Sequence, residues 1–249
     1  MSTAGAGPQP EPHVPAAAPE LPEARGGHTD VLGILLALTL LSGLIDAVCY
    51  LGLGRVFTGN MTGNVVVLGF AAAGAPGFSA PACLTSLAVF LVGAAAGGRI
   101  SQHVSTRSRM LAVALGCECA FVTAAAVVAF LASTVAAGWG RYTVIAILAF
   151  AMGIRNAVIR RLAIPDMTTT VLTQTLTGLA SDSLFAGGAN TRAGRRGAAV
   201  IAMLAGAVVG AALYLHRGAA LPLAISAGAA AVTILVLWRS RAAVYLDKP

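Results

Sequence analysis

The chain has 249 residues, 57% of them hydrophobic and only 10% charged, with a mean hydropathy of +0.84, whereas soluble domains carry about 25% charged residues. That composition excludes a soluble globular domain. Apolar residues in blocks of about 18 to 24, rather than in ~10-residue segments of alternating polarity, also exclude an outer-membrane barrel and point to membrane-spanning helices. The net charge of +7 sits mostly in short loops between apolar blocks, which is a topology signal and not the footprint of a nucleic-acid partner.

Residues 1–29 hold six of the eleven prolines and no apolar periodicity, so they read as a disordered cytoplasmic tail. No basic segment followed by an apolar run opens the chain, so the tail is not a cleaved signal peptide. Full-length helices are predicted over Val31–Leu53, Pro81–Gly98, Met110–Leu131, Tyr142–Ile159, Ala198–Leu215 and Ala220–Trp238. Two further apolar stretches, Thr62–Gly74 and Thr173–Phe185, would each reach only about 20 Å and read as half-helices. Residues 241–249 form a short C-terminal tail. The expected fold is therefore all-α and polytopic, with six full transmembrane helices, two half-helices and the lipid bilayer as its surroundings.

Self-comparison suggests a duplication. Gly43-Leu-Ile-Asp-Ala-Val48 aligns with Gly153-Ile-Arg-Asn-Ala-Val158 at an offset of 110, and Met61-Thr-Gly-Asn64 with Leu172-Thr-Gln-Thr175 at 111. The repeats are placed at residues 30–135 and 136–240. With half-helices that do not cross, a cytoplasmic N-terminus leaves only Arg55, Arg141 and Arg217 outside and puts the other loop and tail basic residues inside. The positive-inside rule thus favours six spans with both termini cytoplasmic. Three spans per half make the second repeat inverted, a design that places substrate sites of secondary transporters near the midplane.

Broken backbone between apolar stretches must line a cavity or be buried in protein, which singles out Phe57-Thr-Gly-Asn-Met-Thr-Gly-Asn64. Asn60 or Thr62 can cap the half-helix that follows, whose positive end suits an anion or a polar group. Asn64 belongs to the same segment. Thr169, Thr170 and Thr173 are the second-half equivalents. The alternative is that these side chains only satisfy backbone and pack helices closely. An intramembrane acid such as Asp46 is costly unless it is paired, protonated or hydrated. Asn156 is its repeat equivalent, and the neighbouring Arg155 would either pair with Asp46 across the repeats or snorkel to the cytoplasmic surface. Glu118 and Asp182, the remaining intramembrane acids, are each either a proton carrier or a buried hydrogen-bond partner, with Glu118 the stronger candidate for proton carriage.

No HExxH, GxSxG, Walker loop or CxxC is present, and His13, His28, His103 and His216 lie in the tail or in loops, so no enzymatic role is expected. Cys117 and Cys119 would point to different helix faces, so neither a metal nor a cofactor is expected.

Gly43-x-x-Asp46-Ala47, Phe57, Asn60-Met-Thr-Gly-Asn64, Gly153-x-x-Asn156-Ala157 and Thr169-Thr170 with Thr173 together resemble the YoaK-like bacterial membrane proteins, domain of unknown function 1275. The resemblance covers about residues 31–240 and implies a multi-span protein of the bacterial plasma membrane, without assigning an activity. Arg155 and Gln174 depart from the Gln and Gly common there, so the two half-sites need not be chemically equivalent. The leading expectation is a transporter of a small polar or anionic solute or ion, with Asp46, Arg155 and Asn156 tuning charge. A non-transporting scaffold or sensor is the rival, and so small a bundle is compatible with a homodimer.

Overall fold

The computed structural model describes residues 22–132, 138–162, 172–183, 186–188, 193–240 and 246–247. Among the described residues eight helices follow in chain order: α1 Pro22–Gly52, α2 Met61–Ala72, α3 Ala80–His103, α4 Arg107–Leu131, α5 Trp139–Leu162, α6 Leu172–Ser181, α7 Ala193–Arg217 and α8 Ala220–Arg239. Six of them, α1, α3, α4, α5, α7 and α8, are long and apolar enough to cross a membrane. At 12 and 10 residues, α2 and α6 span about 18 and 15 Å, well short of a bilayer core of about 30 Å. The first helix begins at Pro22, inside the stretch read from sequence as tail.

Helices α1 and α7 pack together, as do α3 and α5, α4 and α8, α4 and α5, α1 and α8, α2 and α3, α6 and α7. Exchanging α1–α4 with α5–α8 maps the α4–α8 pair onto itself and each of the other pairs onto another of them. The closest approaches obey the same exchange. A Cβ on Gly43 would strike the backbone of Met203 and Ala207 on α7, and one on Gly153 would strike Phe90 and Ala94 on α3. Gly206 and Gly210 lie against Leu40 and Leu44 of α1, while Gly93 and Gly97 lie against Phe150 and Ile154 of α5. Each crossing thus sets one glycine against a G-x-x-x-G pair, and only glycine lets membrane helices approach this closely.

The interior has three layers. One apolar cluster contains Val48, Leu53, Val122, Leu148 and Leu223. The other contains Ile34, Leu38, Leu111, Leu115, Val158 and Leu237. Between them, at mid-helix, lie the buried polar groups Ser42, Glu118 and Arg155. At the second cluster's end, Leu246 is buried among those apolar side chains. The Asp247 carboxylate accepts hydrogen bonds from the Ser108 amide at 2.9 Å and from the Ser108 hydroxyl. It thereby caps α4, whose own N-cap residue Thr106 makes no side-chain bond.

The segment after α1 is re-entrant. Gly54 (φ 95°) and Arg55 (φ 59°) adopt left-handed conformations that turn the chain back at the helix end, and Gly54 meets no steric cost in doing so. Thr58 then reaches the level of Asp46, whose carboxylate accepts its amide hydrogen bond at 3.4 Å. Asp46 lies six residues before Gly52, about 9 Å down the helix. From there α2 runs back out, and Phe78 beyond it sits under the Arg55 guanidinium, 4.9 Å from the ring centroid. Both ends of the excursion therefore lie at the same end of the bundle.

Candidate functional site

The broken segment is held by Asn64. Its Oδ1 accepts from the Phe57 amide at 2.8 Å, and its Nδ2 donates to the Phe57 carbonyl at 2.7 Å and to Ser86 Oγ at 3.1 Å. The Ser86 hydroxyl donates to the same carbonyl at 2.6 Å. One amide side chain thus replaces the backbone partners that Phe57 lacks outside a helix, which makes an irregular turn at this depth tolerable. Asn64 is fully buried and stands behind the turn, not on the cavity. Asn60 does the capping of α2, its Oδ1 accepting from the Gly63 amide at 3.3 Å.

In front of the turn lies a cavity of about 480 Å³, within the ~300–1,000 Å³ usual for small-molecule sites. One stripe of α1, Ser42, Asp46 and Tyr50, lines it at the i, i+4, i+8 spacing that shares a helix face. Asn60, Thr62 and Gly63 at the start of α2 face it, as do Met152 and Arg155 from α5 and Leu172 and Thr173 from α6. Residues of both halves therefore enclose one space. Five of the residues singled out from sequence meet there: Asp46, Asn60, Thr62, Arg155 and Thr173. Asn156 is not on its wall, and Thr169 and Thr170 lie outside the described residues.

Arg155 neither pairs with Asp46 nor reaches the surface. It is 1% exposed. Its Nη1 donates to Glu118 Oε1 and its Nη2 to Ser42 Oγ, both at 2.6 Å. The reason is geometric: mid-helix on α5, Arg155 faces the α4 and α1 surfaces at its own depth, and Glu118 supplies a fully buried carboxylate there. This places Glu118 in an ion pair instead of leaving it a solitary acid. Asp46, 8% exposed, forms no ion pair among the described residues, and its hydrogen bonds come from backbone amides of the turn. Asp182 lies at the end of α6, its Oδ2 2.6 Å from Arg196 Nη1, which also donates to the Gly178 carbonyl. It is a surface tie between α6 and α7, away from the cavity.

Sequence reasoning missed Ser42, Tyr50 and Ser86. The stripe was available from the helical spacing of Ser42 and Tyr50 about Asp46, but Ser86 carries no local signal. The four cysteines are free thiols, and no group of three or more metal-ligating side chains occurs among the described residues.

Six long apolar helices around a buried polar layer, with a re-entrant half-helix opening onto a cavity, define a polytopic helical membrane protein. The family model described as "Protein of unknown function (DUF1275)" matches residues 34–236, and the chain belongs to that family. It is similar to the UPF0700 transmembrane protein YoaK of Bacillus subtilis (strain 168), 32% identical over 153 residues, which cover 60% of this chain and 65% of that relative. The chain thus spans just under two thirds of the relative's length. No solved structure matches the chain.

Proposed function

We propose that the protein is a small-solute transporter of the bacterial plasma membrane, working through the cavity between its halves. The observation that carries this reading is the combination, in one 480 Å³ space, of a buried carboxylate, Asp46, that forms no ion pair among the described residues, with residues from both halves. A charge at that depth costs at least ~2.5 kcal/mol unless it is hydrated or paired, and a protein needing only to pack would gain from Asn or Leu there. The halves act as inverted copies that rock about the two glycine crossings to expose the site alternately. Arg99, Arg107, Arg109, Arg160 and Arg161 against Arg55, Arg141 and Arg217 support cytoplasmic termini.

Two measurements test this. Proteoliposomes offered the small-molecule extract of bacterial cells should enrich at least one polar solute, read by mass spectrometry of the vesicle contents. Asp46→Asn should abolish that enrichment while leaving the elution profile of the purified protein unchanged. A folded wild-type protein that enriches nothing over empty vesicles would favour the scaffold reading. For topology, the four native cysteines are first replaced by alanine. Cysteine at Ala73 should then label from outside intact cells and cysteine at Ser105 should not, and labelling of Ser105 alone would refute six spans with cytoplasmic termini.

A further inference from the structure

The cavity is charge-separated in a way that selects its occupant. On the α1 wall stands the Asp46 carboxylate, which forms no ion pair among the described residues and accepts the Thr58 amide hydrogen bond. Beside it on the same cavity is the start of α2, three residues past the Thr58 amide that bonds Asp46, where Asn60 caps the Gly63 amide. The Thr62 amide, on the cavity wall, has no acceptor within the helix, and the helix end carries roughly +0.5 charge. Arg155 adds little net charge, because it is locked onto Glu118. The remaining wall is apolar, formed by Val66, Met152, Leu172 and Met203.

A monovalent anion entering this space would be attracted to the α2 end and repelled by Asp46. A monovalent organic cation would meet the reverse conflict. An inorganic cation would want about six oxygen ligands, more than one carboxylate and a few hydroxyls supply. We infer that the cavity binds a small zwitterion of the α-amino-acid kind. Its ammonium group lies against Asp46, its carboxylate against the Thr62 amide with the Thr62 and Thr173 hydroxyls, and its aliphatic body against Met152 and Met203. Such an occupant is neutral overall, so its passage moves no net charge across the bilayer. The role of this binding in transport rests on the function proposed above, whereas the binding itself does not.

The test is calorimetric titration of the purified full-length protein in detergent with four straight-chain compounds of similar size: norvaline, butylammonium chloride, sodium valerate and pentanol. Norvaline should bind saturably and at least tenfold tighter than the other three. Asp46→Asn should weaken norvaline at least tenfold and tighten valerate, because it removes the charge that repels it, and Asp182→Asn, away from the cavity, should change neither. Binding of butylammonium or of valerate as tight as that of norvaline would overturn the inference, as would the absence of norvaline binding. The wild-type series decides this even if Asp46→Asn does not fold. Uptake distinguishes the two proposals. Norvaline binding without any solute uptake leaves the zwitterion site standing and removes the transport reading. Enrichment of a solute bearing only one charge, with no norvaline binding, does the opposite.

Discussion

Arg155→Met should destabilise the protein by about 3–5 kcal/mol, because it strands the Glu118 carboxylate in the interior without its counter-charge. Glu118 is fully buried and only one of its oxygens is bonded, to Arg155 Nη1 at 2.6 Å. Loss of the guanidinium also leaves Ser42 Oγ without its 2.6 Å donor. The expected readout is a clear fall in the apparent Tm of the detergent-solubilised protein. The double variant Glu118→Gln with Arg155→Met should be much less destabilised than the sum of the single changes, because it removes both charges together and the residues are in contact. Additive losses in the two single variants and the double would show that the pair is not coupled. The ion pair joins α5 of the second half to α4 and α1 of the first, so its loss should also loosen the seam between the halves.

That pairing marks the boundary of what the sequence discloses. Apolar length alone identifies the six spans, because the bilayer imposes a ~20-residue minimum that no tertiary context alters. The break at residues 57–64 is equally legible, since two Gly, two Asn and two Thr cannot continue a lipid-facing helix. The roles of individual residues inside the break are not. Asn60 and Asn64 look alike in sequence, yet one caps α2 at the cavity and the other clamps the Phe57 backbone behind it. Their difference depends on α3, which brings Ser86 against the turn. Arg155 is similar: its position in α5 left both burial and snorkelling open, and the choice of Glu118 over Asp46 depends on how α4 packs against α5. The glycine crossings were hidden for another reason. The first helices of the halves align at an offset of 110, whereas Gly93 and Gly97 align with Gly206 and Gly210 at 113. Intervening loops of unequal length absorb the difference, so a comparison held to one register passes over the pair.

Gly43→Ala and Gly153→Ala should each cost about 1–3 kcal/mol, the usual penalty for overpacking a tight contact, and the two costs should be similar. The added methyl group would meet the Met203 carbonyl in one case and the Phe90 carbonyl in the other. Neither neighbour is a side-chain end that can swing aside, so the crossing helices themselves must separate. Gly97→Ala and Gly210→Ala should behave alike as well, with the new Cβ 2.7 Å from the Ile154 carbonyl and 2.5 Å from the Leu44 carbonyl. Gly116→Ala and Gly228→Ala supply the comparison, because nothing lies within 4 Å of a Cβ at either site. There alanine should be neutral or stabilising by up to about 1 kcal/mol, through its better helix propensity. Thermal unfolding of the six single variants decides the matter. Equal losses at Gly43 and Gly153 would mean that the two crossings carry equivalent loads, as a duplicated half requires. A benign Gly153→Ala beside a damaging Gly43→Ala would mean that the α3–α5 contact has relaxed while the α1–α7 contact has not. Rocking of one half against the other would then pivot mainly on α1 and α7, the pair that positions Asp46 beside Met203 at the cavity wall.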